Sequence, residues 1–139
     1  MYQTTDVGIE NAMLSITTML TKARNDFDKP ISIAIVDSHG VLVTFARMDN
    51  CLPLPQKLAY KKAYTASIMK NNTADIEERF KNNGRNISDF GDANLITLKG
   101  GITINNPADN AVIGAIGVSG LTADQDEMIA NMGLNAMNL

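Results

Sequence analysis

Hydrophobic positions along the chain change period several times, and each change predicts an element. Ile9, Met13, Ile16, Leu20, Ala23 and Phe27 recur at steps of three and four, which predicts an amphipathic helix over 6–27 with Asp6 as its N-cap. Asp28-Lys29-Pro30 ends it, because the residue before proline is pushed out of the helical region. ISIAIV (31–36) and VLVTFARM (41–48), joined by Asp37-Ser38-His39-Gly40, predict a β-hairpin. DNCLPLP (49–55) predicts an irregular loop, and 56–70 a second helix with Leu58, Ala59, Ala63, Ala66, Ile68 and Met69 along one side. Thr73 starts a short helix through Phe80, and the polar stretch 81–92 predicts a loop or flap.

The C-terminal third carries the densest signals. A short strand is expected over 93–98, another over Ile102–Ile104, then a turn at NNPADN (105–110) and a strand over Val112–Ser119. Glycines 114, 117 and 120 strip side chains from that last strand, which marks the close approach of another backbone, a ligand or a second subunit. Thr122 and Gln125 form a capping box for a helix over 122–137, and Asp124, Asp126 and Glu127 suit its positive end. The order α-β-β-α-α-β-β-β-α predicts an α+β domain with mostly antiparallel pairing, spanning 1–139.

Composition narrows the function classes. The chain has 139 residues and a net charge of −3, which gives no basic footprint for nucleic acid. No apolar run is long enough to cross a bilayer and no signal segment stands at the start, so no membrane partner is expected. A single cysteine, Cys51, excludes an internal disulfide, and a cytoplasmic location is expected.

Three segments, ISIAIVDSHGVLVTFARMDNC, KKAYTAS and GGITI…VIGAIGVSGLTADQDEMIA, stand in an order that resembles the GlcG/HbpS family. That domain also forms the C-terminal part of PduO-type cobalamin adenosyltransferases. The resemblance implies a profilin-like fold with a five-stranded antiparallel sheet, homo-oligomers, and in several members binding of haem or another tetrapyrrole. It implies a place beside a cobalamin-dependent or glycolate-type catabolic pathway. The family's K-A-R-T-A stands here as Lys62-Ala63-Tyr64-Thr65-Ala66, and G-G-V-P-I as Gly100-Gly101-Ile102-Thr103-Ile104.

Candidate chemistry is sparse. Haem-binding members use a histidine on iron, and the one histidine here, His39, sits in a turn with no His, Cys or carboxylate set apparent around it, so a solvated turn residue competes with a metal ligand. Arg47 and Asp49 at a strand end suit either an anionic ligand or an ion pair that braces the loop. Lys62 and Thr65 match the family motif and are expected near a pocket between the middle helix and the sheet. The G-x-x-G-x-x-G of 114–120 is neither a dinucleotide fingerprint nor a P-loop, and the acidic turn after it would repel phosphate. No nucleophile–base–orienter trio is visible. The preferred reading is a non-catalytic, oligomeric accessory protein that binds a flat, partly anionic molecule such as haem or a corrinoid. An enzyme acting on haem or another small molecule through Arg47, Asp49 and Lys62, and a purely structural subunit, stand as alternatives.

Overall fold

In the computed structural model, which describes residues 1–139, two helices run on one face of a sheet and one long helix lies on the other. The elements are α1 (Ile9–Asp26), β1 (Ser32–Asp37), β2 (Leu42–Arg47), α2 (Pro53–Met69), α3 (Thr73–Asn82), a 3₁₀ turn (Ile87–Phe90), β3 (Gly101–Asn105), β4 (Val112–Ser119) and α4 (Ala123–Asn135). The sheet has four strands in the order β2-β1-β4-β3, and every neighbouring pair is antiparallel.

The five-stranded sheet expected from the resemblance is therefore corrected to four. Residues 93–98 form a turn and irregular chain rather than a strand. Their backbone bonds go to a helix instead: Ile96 N donates to Thr65 Oγ1 (2.9 Å), and Thr65 Oγ1 donates to the Asn94 carbonyl (3.2 Å). The outer edge of β3, where an added strand would pair, is already taken. Thr103 N donates to Asn72 Oδ1 (2.9 Å) and Gly101 N to Thr73 Oγ1 (3.0 Å).

The two faces of the sheet pack differently because their side chains differ in size. Ile33, Ile35, Ile102, Ile104, Ile116 and Val118 meet Ala12, Ile16, Met19 and Ala23 of α1 and Ile129 and Ala130 of α4 in the main core. The opposite face offers Ala34, Val36 and Ala115, and α2 answers with Ala59, Ala63 and Ala66. The glycines bring α2 closer still. A Cβ on Gly117 would lie 2.0 Å from the Ala59 carbonyl oxygen, and one on Gly101 2.3 Å from that of Lys62. The bare strand accommodates the chain's own helix.

Element boundaries shift where local chemistry competes. α1 starts at Ile9 after Gly8, because the Asp6 carboxylate is engaged by the Ser38 amide 32 residues away. α2 begins at Pro53, inside the expected loop, since proline is tolerated in a first helical turn where its missing N–H has no partner to lose. The Thr122–Gln125 capping box of α4 is present in both directions.

Candidate functional site

The family-motif residues of α2 face inward. Lys62 is 3% exposed and Asp126 2%. Lys62 Nζ donates to Asp126 Oδ2 (3.0 Å) and to the Val118 carbonyl (2.8 Å), while Leu121 N donates to Asp126 Oδ1 (3.0 Å). Burial pushes the Lys62 ammonium below its ordinary value and the Asp126 carboxyl above its own, each opposed by the attraction of the other. Both charges are satisfied by protein groups, so the pair ties α2 to the turn between β4 and α4. Thr65, fully buried, latches the 94–96 backbone. Tyr64 Oη donates to Asp92 Oδ2 (2.6 Å) one residue earlier on the helix. Lys62 and Thr65 thus lie near each other on α2, with their polar side-chain atoms bound to protein groups.

Arg47 and Asp49 stand at the other side of the sheet, at the end of edge strand β2 and in the turn after it. Arg47 donates to Gln56 Oε1 of α2 (3.0 Å), and the expected Arg47–Asp49 ion pair does not form. Both line a shallow cleft of about 370 Å³ with Leu20, Arg24 and Met48. Cys51 Sγ lies 3.0 Å from Ser32 Oγ. Asp124 and Glu127 are claimed by Lys99, at 2.7 and 3.7 Å.

A cleft of about 590 Å³ opens where the β1–β2 turn, the β3–β4 turn, the end of α2 and the N-terminal segment meet. Its walls include Tyr2, His39, Ile68, Lys70, Asn106 and Val112. His39 is the only residue of the sequence-based site that reaches it. The turn under the imidazole is held by two carboxylates: His39 N and Val41 N donate to Asp37 Oδ1 (2.9 and 3.0 Å), and Ser38 N donates to Asp6 Oδ1 (2.7 Å). Ligand atoms of Asp6, Asp37 and His39 fall within 4.8 Å of one another. The turn histidine is therefore not isolated, as its local sequence suggests. Lys70, in the left-handed conformation that ends α2, donates from Nζ to the Ser38 carbonyl. Burial is the largest single influence on the Asp6 carboxyl and raises it, but the Ser38 hydrogen bonds and the charges of His39 and Lys70 together outweigh it and hold Asp6 below its usual value.

The described family model for HbpS-like haem-degrading proteins matches residues 8–135. The chain belongs to the HbpS-like family. It is 42% identical over 90 residues to protein GlcG of Escherichia coli K12, covering 64% of this chain and 63% of GlcG. It is 27% identical over 140 residues to the corrinoid adenosyltransferase PduO of Salmonella typhimurium, covering 99% of this chain and 41% of PduO. The chain thus spans less than two thirds of the length of these curated relatives. Among solved structures, the PduOC complex with heme superposes with a TM-score of 0.85 at 26% identity, covering 96% of each chain. HbpS itself superposes at 0.87 over 100% of this chain and 95% of that one; at 24% identity this speaks for the fold.

Within the HbpS-like frame, the residues that sequence reasoning missed are Asp6, Asp37, Lys70 and Asn106. Asp6 carries a sequence signal only for capping, and Lys70 and Asn106 carry only those of a helix end and a turn. Sequence separation hides their convergence. No helix is long and apolar enough to cross a membrane.

Proposed function

We propose that this chain is a non-catalytic, oligomeric small-molecule-binding accessory protein whose ligand is a flat, partly anionic tetrapyrrole, haem or a corrinoid, held in the His39 cleft. The carrying observation is the cleft itself. Its volume of about 590 Å³ falls within the range typical of small-molecule sites, roughly 300–1,000 Å³. It joins an imidazole, a lysine ammonium and amide groups to the apolar surfaces of Tyr2, Ile68 and Val112. This donor set fits the ligand class: His39 is the one imidazole available to iron or cobalt, and Lys70 and Asn106 suit peripheral carboxylates. A macrocycle between α2 and the sheet is disfavoured by the Gly117–Ala59 contact. The heme complex of PduOC and the corrinoid chemistry in the name of PduO support the ligand class. Arg47 and Asp49, on the shallow cleft at the sheet edge, are secondary candidates for an anionic group, while Lys62 and Thr65, bound to Asp126, Val118 and the 94–96 backbone, line no part of the His39 cleft.

Turnover of haem is the second reading, favoured by the family's description as haem-degrading. Ultraviolet–visible titration with hemin and with cobalamin, followed by a reductant, separates the two. Saturable binding with a stable spectrum supports the accessory role. Progressive loss of the Soret band supports turnover, and no binding of either tetrapyrrole overturns both.

A further inference from the structure

The two edges of the sheet are finished differently. At β3, the amides of Gly101 and Thr103 are met by Thr73 and Asn72 at the start of α3. At β2, Met48 N donates to the Ile31 carbonyl (2.9 Å). The alternation of an antiparallel ladder then turns the backbone groups of Phe45 and Arg47 away from β1. No loop or turn of the chain bonds them.

Edge strands are usually blunted by charge, proline, a bulge or a covering element. Val41–Ala46 carries no charge and no proline, and its one irregularity, between Leu42 and Thr44, stops short of Phe45. Its side chains are apolar and open: Val41 is 61% exposed, Leu42 49% and Phe45 37%, and Leu52, just before α2, is 68% exposed. A row of unpaired amides and carbonyls flanked by apolar side chains is met best by another strand.

We propose that β2 pairs antiparallel with β2 of a second copy about a two-fold axis near Phe45, continuing the sheet from one subunit into the next. The strand is self-complementary in that arrangement. Phe45 faces its own copy, a pairing that aromatic cross-strand neighbours favour. Arg47, the one charged residue of β2, lies two positions from Phe45 and so falls opposite Val43 of the other strand, which keeps the two arginines apart. The shallow cleft of Arg24, Arg47, Met48 and Asp49 sits at this edge and gains a wall from the second copy.

This inference rests on the oligomeric part of the function proposed above and names the surface that forms it. The test is the mass of the full chain by light scattering, beside Phe45→Pro and Phe45→Lys. Proline removes only an outward N–H, which an edge strand tolerates. The expected result is an even-numbered assembly for the unchanged protein and half that mass for both variants, with unaltered circular dichroism. A monomeric unchanged protein overturns the oligomeric reading and this inference together. An oligomer whose mass is the same in folded variants overturns this inference alone. Should neither variant fold, hydrogen exchange at the Phe45 and Arg47 amides of the unchanged protein decides: protection supports the pairing, and free exchange overturns it.

Discussion

Gly117 of β4 and Ala59 of α2 approach so closely that a single added methyl group at 117 would sit 2.0 Å from the Ala59 carbonyl oxygen. This contact sets the distance between α2 and the sheet, and it decides where a ligand cannot go. The glycine-rich strand packs against a helix, and the open volume lies at the end of the sheet.

Gly117→Ala is expected to destabilise the fold by at least the ~1–3 kcal/mol typical of an overpacked core, because the obstructing atoms are helix backbone. Urea unfolding checks this. Gly84→Ala is a comparison where no heavy atom stands within 4 Å of the added carbon, so its cost reflects only the positive φ of 64°.

Lys62→Met should cost about 3–5 kcal/mol, since it strands a buried carboxylate. Because burial holds Lys62 below 10.5 and Asp126 above 3.8, the charged pair is under a desolvation penalty on both sides. Lys62→Met combined with Asp126→Leu should therefore recover much of the single-variant loss. Additive losses in a double-mutant cycle would contradict a coupled pair.

Thr65→Val leaves the Ile96 amide without its acceptor and should cost ~1–3 kcal/mol. The 85–99 segment should then be cut faster by protease, while Thr65→Ser preserves the hydroxyl and slow cleavage. Equal cleavage in all three proteins would remove Thr65 as the latch.

These expectations rest on contacts that the sequence shows unevenly. The first hairpin, the capping box at Thr122 and Gln125, and the close approach at Gly117 were legible, because each is encoded within a few neighbouring residues. The start of α2 was not, because Pro53 and Pro55 read as loop until their place in the first turn is known. The false fifth strand arose because 93–98 has strand-like residues, whereas Asn72, Thr73 and Thr65 supply the bonds that decide its path. Lys62 and Asp126 are 64 residues apart, and Asp6 and Ser38 32. No local period reports such pairings, which is why the buried ion pair and the surroundings of His39 appeared only in three dimensions.

Asp6 should act as an acid-sensitive clasp on the His39 turn. Its folded-state value lies below 3.8, so its contribution is present above that pH and is lost as pH falls through the lower, folded value. The Ser38 amide should stay protected from hydrogen exchange at neutral pH and lose protection in acid. Asp6→Asn should weaken that protection at neutral pH, with the difference from the unchanged protein fading in acid. An acid-independent difference would contradict the linkage.

The most direct test of the binding account is a map of amide chemical-shift changes on adding zinc protoporphyrin, a diamagnetic stand-in for haem, to the full chain and to His39→Ala. The account predicts saturable shifts concentrated at residues 2–5, Ser38, His39, Lys70, Asn106 and 111–113, weakened in the variant. Saturable shifts centred elsewhere, or none in the unchanged protein, would contradict it.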